Sequence, residues 1–448
     1  VHNSFSAPQP QLRRAKLAAF VAPCLPLAAL SLPLVVYLPP HYASTLGLEI
    51  GMVGVLFFLV RLIDLPIDPL IGLAMDRAPS GLGRFRPWLL GGSVLLLVGI
   101  ALVFFAAPGI SAARAFAGLL ILNLGLSAML VAHAAWGAVL SDDYHERSRI
   151  FGWWQTANLF GMLGILAVPP LAASLGFGPS STVPAIGAVI AFLLVPVLVW
   201  TLRAVPERPS RTARPRAHSV AALAGLVKLP LFRRMLIIDL LANLGPGVAG
   251  ALVLFFLEAA RGYSKTQTSV LLLLYFLAGL LAAPLWMGLA RRTSKHRALS
   301  IAMLSYAVFQ LGTIAIPRGN FPLAAFSIML AGLPYAAPLF LLRAMLADLS
   351  DAETLRTGQE QTGLFYSALV AVQKFSYAIP VGLAYPLLTL LGFQASAGAA
   401  NTPLALSALT VLFVVPPALL GLAASGLVHH WPITPANYSR TAAALREI

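Results

Sequence analysis

The sequence predicts an all-α integral membrane protein with 12 transmembrane helices in two six-helix bundles. Three observations predict it: an apolar composition, twelve hydrophobic stretches of spanning length, and basic residues gathered on alternate loops. Of 448 residues, 59% are hydrophobic and 10% charged, whereas a soluble domain carries about 25% charged residues. The mean hydropathy is +0.86. So few charges cannot cover a water-facing surface, which excludes a cytosolic enzyme, a disordered chain and a fibrous repeat. The single cysteine, Cys24, excludes an internal disulfide framework and a cysteine-based metal site. In a chain this apolar the net charge of +15 reads as basic loops held on one side of a bilayer, not as a nucleic-acid surface.

About 20 mostly apolar residues cross the hydrocarbon core of a bilayer. Such stretches lie, in order, near 17–39, 50–73, 87–108, 113–140, 151–175, 183–203, 234–258, 268–290, 297–316, 321–346, 362–391 and 403–428. Each must be helical, because lipid offers no partner to an unpaired backbone group. The first is long, is followed by eleven more and lacks a clear small-residue cleavage site. It is therefore expected to be a span and not a removable signal peptide. With the N-terminus inside, the cytoplasmic segments hold 24 of the 30 Lys and Arg, with Arg343 and Arg356 assigned to the segment after span ten. The outer loops hold Arg114, Arg261, Lys265 and Arg318, while Arg61 and Lys374 fall inside spans. A misplaced set of helices does not produce such a split. It places both termini in the cytoplasm; the expected location is the plasma (inner) membrane.

The longest polar stretch, 204–233, is basic and rich in proline, so it reads as a linker on the inner face. The expected organisation is an N-terminal tail over 1–16, a bundle over 17–203, the linker, a second bundle over 234–428 and a tail over 429–448. Pro69 to Ala74 at the end of span two is echoed by Pro284 to Ala290 at the end of span eight, with one extra residue. Two parallel six-helix repeats are the architecture of the major facilitator fold, which takes its solute between the halves.

Span two carries Arg61, Asp64 and Asp68 at i, i+3 and i+7, one face of a helix. Each costs about 2.5–3.5 kcal/mol at a helix centre on insertion scales, so this face must look into protein or a wet cavity. Two carboxylates one turn apart repel; a bound cation, a proton or Arg61 relieves them. Oxygen ligands suit a hard cation. The face reads as a coupling-ion site, or alternatively as a buried Arg61–Asp64 pair that locks helices. Lys374, deep in span eleven, needs a carboxylate or water, unless it snorkels to the rim. Asp239 lies near the expected start of span seven and reads as a rim gate or helix-start charge. His133 in span four reads as a hydrogen-bonded packing residue or a proton relay. Asp76, Arg77, Arg84 and Arg86 after span two form a positive-inside anchor able to act as a cytoplasmic gate.

These residues carry a family resemblance. Arg61, Asp64, Pro66, Asp68, Pro69 and Gly72, followed by Gly83, Arg84, Phe85, Arg86, Pro87 and Trp88, resemble the signature of the glycoside–pentoside–hexuronide:cation symporters. That is the melibiose-carrier-like branch of the major facilitator superfamily. Trp136 through Arg147 resembles the loop after span four, and Asp348, Asp351, Gly358, Gly363 and Lys374 the region around span eleven. The resemblance implies a cation symporter of a sugar-type solute working by alternating access. It implies that Asp64 and Asp68 bind the cation, that Arg61 and Lys374 tune their charge, and that Trp136 lines the sugar pocket. Where the melibiose-type carrier has sugar-binding acids in spans one and four, this chain has the apolar run around Ala28 and, near the second position, Ala132. Where the family has a pocket arginine in span five, Gln155 falls nearby. Ion machinery is thus retained while sugar-recognition charges are lost. Tyr37, Asn123, His133, Gln155, Asn158 and Asn243 complete the candidate pocket.

The expected function is secondary active transport coupled to Na+ or H+, of a sugar, glycoside or related small solute, by a monomer with no cofactor. A non-sugar solute and a non-transporting sensor on the same scaffold are the alternatives. No Gly-x-x-x-x-Gly-Lys-[Ser/Thr] motif is present to make a nucleotide-driven pump, and no polar catalytic loop marks an enzyme. The charge split predicts that a cysteine placed at Ser181 is labelled from outside intact cells while one at Ser210 is not. Labelling at Ser210 would overturn the topology.

Overall fold

The computed structural model describes residues 13–77, 83–140, 144–207, 228–357, 362–396 and 399–433. The regular elements among these residues are helices, and twelve stretches are long and apolar enough to cross a membrane. They are Arg14–Val36, Ile50–Gly72, Arg86–Phe104, Ala112–Gly137, Arg149–Ser174, Thr182–Ala204, Pro230–Ala260, Lys265–Arg292, Lys295–Ala315, Phe321–Ser350, Ala368–Leu390 and Pro403–His429. The ends differ from expectation in two places that matter. Span seven starts at Pro230, inside the expected linker, because proline fits the first helical position, where its missing N–H is not needed. The helix closing span ten, Ala336–Thr357, continues well past residue 346, and Arg343, which the charge count assigns to the segment after span ten, lies on it. The stretch between spans six and seven at 208–227 lies outside the described residues.

Helix starts follow local chemistry. Ser264 caps span eight by accepting from the Gln267 N–H, while the Gln267 side chain accepts from the Ser264 N–H. Span one breaks at Pro23 into Arg14–Val21 and Cys24–Val36, and a further short helix, Leu38–Ser44, follows Tyr37.

The chain divides into two compact units. The first is Val1–Leu48 with Leu62–Pro215, and the second is Glu49–Arg61 with Arg216–Ile448. Within the first, span one packs along span five, and span three along span four. Within the second, span seven packs along spans eleven and twelve, and span eight along span ten. The pairing of one with five and of seven with eleven repeats one arrangement in both units.

Small residues permit these approaches, as they do where lipid removes the hydrophobic drive between helices. A Cβ at Gly99 would sit 2.5 Å from the Leu122 Cα, and one at Gly247 would sit 2.7 Å from the Ser376 carbonyl oxygen. At Gly161 it would overlap the Leu25 carbonyl, and at Gly332 the Tyr275 carbonyl. Polar tips close onto backbone: Thr201 donates to the Ala19 carbonyl at 2.6 Å, Tyr385 to Ala251 at 2.9 Å and Trp286 to Leu333 at 2.8 Å. Large apolar side chains such as Phe192, Leu281 and Leu390 point outward, as a lipid-facing belt requires.

The packing sets a test. Gly161→Val and Gly332→Val force backbone apart and should each cost about 1–3 kcal/mol or more, read as loss of monodisperse protein on size exclusion. Gly91→Ala, which meets nothing within 4 Å, should leave the profile unchanged.

Candidate functional site

The second span is one helix, Ile50–Arg77. Leu62, Ile63 and Leu70 on one side are exposed, while Asp64 on the other is 1% exposed and Arg61 and Asp68 are half-buried. The three charged residues therefore share the sheltered face. Asp64 Oδ1 accepts a hydrogen bond of 2.7 Å from Ser127 Oγ on Ala112–Val139. Ser127 was not singled out from sequence: one serine in an apolar helix gives no signal until the neighbouring acid is seen. One turn before it, Asn123 Nδ2 donates to the Leu119 carbonyl at 2.8 Å, and its buried Oδ1 has no hydrogen-bond partner. Asn123 and Ser127 thus add oxygens on the helix face that carries the Asp64 contact.

The other candidates fall into separate places. His133 is fully buried: its Nε2 lies 2.7 Å from the Phe20 carbonyl oxygen, and its Nδ1 accepts from Trp154 Nε1 at 3.2 Å. Its ring tilts against Phe20 at 4.6 Å between centroids. These contacts join spans one, four and five through the His133 ring. Trp136 is also buried, with the Arg86 guanidinium 6.0 Å from its ring centroid and the Phe20 ring edge-on. Gln155 is exposed, Asn158 is half-buried and donates to the Trp154 carbonyl at 3.0 Å, and Tyr37 is buried where span one ends.

The start of span three is held by an acid that carries no signal in the sequence. Glu207, just beyond span six, accepts the backbone N–H groups of Arg84, of Phe85 at 2.8 Å and of Arg86 at 3.4 Å. Arg86 Nε lies 3.9 Å from the same carboxylate, and Arg86 Nη2 donates to the Val205 carbonyl at 2.9 Å. These N–H groups open the helix Arg86–Phe104, so the carboxylate sits at the positive end of a helix dipole. The gate candidates Arg84 and Arg86 are thereby tied to span six within the first unit. The side chains of Asp76 and Arg77 lie outside the described residues.

In the second unit, Asp239 is not at a helix start. It lies nine residues past Pro230 and is fully buried; the early start of span seven carries it inward. Asn243 Nδ2 donates to its Oδ1 at 3.1 Å and to its carbonyl at 2.8 Å, and Gln373 Nε2 reaches Oδ1 at 3.4 Å. Arg343 lies on the helix Ala336–Thr357, which packs against the helix of Asp239. Lys374 is half-buried on Thr362–Leu390, next to Gln373. Lys295 Nζ bonds both oxygens of Asp348 at 2.6 and 2.7 Å.

Glu207 makes a defined contribution. Glu207→Ala leaves three N–H groups without their acceptor and should cost about 1–3 kcal/mol, seen as a lower Tm of the purified protein. Glu207→Gln keeps a carbonyl acceptor and should lose less. An unchanged Tm in both would show that the contact does not hold this edge together.

Residues 19–435 match the family described as MFS/sugar transport protein. The inner membrane symporter YicJ of Escherichia coli (strain K12) is 24% identical over 394 residues, which cover 86% of this chain and 84% of that protein. The raffinose carrier protein of Pediococcus pentosaceus is 23% identical over 374 residues, covering 79% of this chain and 57% of that longer protein. Among solved structures, the xylose transporter XylE of Escherichia coli in an inward-open conformation aligns with a TM-score of 0.60 at 15% identity, over 96% of this chain and 98% of that one. That likeness shows the fold.

Proposed function

The chain belongs to the MFS/sugar transport protein family, and we propose that it is a cation-coupled symporter of a sugar, glycoside or related small solute working by alternating access. The names of its relatives, an inner membrane symporter and a raffinose carrier, support this class. The observation that carries the coupling role is Asp64, buried in a spanning helix and hydrogen-bonded by Ser127, with Asp68 one turn further along the same face. A carboxylate held at such depth is costly, and an unpaired cation lowers that cost. Asp64 and Asp68 supply hard oxygen ligands suited to Na+, or a place for H+. Ser127 orients Asp64, and Arg61 and Lys374 set the charge the ion must balance.

Solute recognition differs from that of a galactoside carrier with acids in spans one and four. Ala28 and Ala132 stand at or near those positions, so amides, hydroxyls and aromatic faces must do more of the binding. Asn123, Asn158, Gln155, Tyr37, Trp136 and Asn243 are the proposed contributors. The chain works in the plasma (inner) membrane, with both termini cytoplasmic and the basic 204–233 stretch on the inner side.

Uptake of labelled raffinose, lactose and xylose into proteoliposomes, with and without imposed Na+ or H+ gradients, tests this reading. The wild type should concentrate at least one of them under one gradient. Asp64→Asn and Asp68→Asn should abolish accumulation while leaving downhill exchange intact. Ser127→Ala removes a hydrogen bond to a charged group, worth about 1.5–3 kcal/mol, so the half-saturating cation concentration should rise about tenfold or more. Well-folded Asp64→Asn and Asp68→Asn proteins that still concentrate solute would remove the pair from coupling. A purely structural pair predicts misfolding instead, at about 3–5 kcal/mol.

A further inference from the structure

Asp239 stands apart from the aspartates of span two. Its residue is completely buried, so no water-sized sphere reaches it. Oδ1 accepts from Asn243 and Gln373, but Oδ2 has no hydrogen-bond partner. The helices packed against Pro230–Phe255 are Thr362–Leu390, Pro403–His429 and Ala336–Thr357. The first carries Gln373, which bonds Asp239, with Lys374 beside it and Tyr377 one turn on, and the last carries Arg343. Pro403–His429 carries no charged or titratable residue before His429 at its end. On its own helix, Arg234 is engaged with the Leu427 carbonyl.

A buried carboxylate with an unpartnered oxygen is costly, and such a group commonly neutralises. The ligand that does so here must be smaller than water. A hydrated metal ion does not fit, and a bare cation of the Na+ or Ca2+ kind needs several oxygens where the structure aims amide donors at the carboxylate. A proton needs neither volume nor further ligands. We propose that Asp239 is a reversible proton-binding site of the second unit, separate from the aspartate pair of span two. Protonation of Oδ2 takes the carboxyl from −1 to neutral. The contribution of this site to coupling rests on the symport reading above; its proton binding does not.

Infrared difference spectroscopy of the full chain in proteoliposomes, without solute or Na+, tests the site. As pH falls, a carboxylic C=O stretch of a buried acid should grow in, and it should be lost in Asp239→Asn. Should that variant fail to fold, Gln373→Leu serves: removing a donor to the carboxylate disfavours the charged form, so the band should shift in frequency and its midpoint move to higher pH. The proposal is overturned by a wild type with no titrating band, by a band present unchanged at every pH, or by one that neither substitution alters. Since no solute is present, failure of sugar uptake and failure of this titration are separate results.

Discussion

A carboxylate carried into a membrane must be met by polar groups from another helix, and the arrangement of span two follows from that requirement. Leu62, Ile63 and Leu70 take the exposed side, which leaves Asp64 and Asp68 on the sheltered one. Ser127 then fixes how span four faces span two, through a single hydrogen bond of 2.7 Å. The same rule acts on Asp239, where two amides from two helices converge on one oxygen. In both units the acid lies on a sheltered side of its helix and is met there by polar side chains.

Close approach is the second condition, because lipid does not press helices together as water would. Glycines at 99, 161, 247 and 332 lie against neighbouring backbone or Cβ atoms, so each unit is held by contact across short distances. Bulky residues on the outside contribute to the lipid-facing surface and little to this internal fit.

The number of spans was legible because twenty apolar residues in a row leave one physical solution, and the polar face of span two because a charged triplet at helical spacing has one direction to point. What escaped reading depended on helix ends and on partners distant in sequence. Sequence puts Asp239 near the rim, since the expected linker runs to 233; Pro230 opens the helix earlier and draws Asp239 inward. The charge count puts Arg343 after span ten, although it falls before residue 346 and lies on the helix that runs on to Thr357. Ser127 and Glu207 carry no local pattern. Each acquires meaning only from the residue it bonds, at separations of 63 and about 120 positions. His133, by contrast, was open between two roles, and its contacts with Phe20 and Trp154 favour packing.

The contact made by Glu207 also bears on how the first unit is made. Its carboxylate is translated 122 residues after the Phe85 N–H it accepts. Until the ribosome has passed span six, the opening turn of span three lacks this acceptor, whatever spans four and five have done. Completion of that edge is therefore tied to the end of the unit rather than to its beginning. A nascent chain halted before Val205 would hold the later helices of the unit while its third helix still lacked this protein cap. The first six spans are thus closed from their far end, an acid beyond the last of them completing the start of the third.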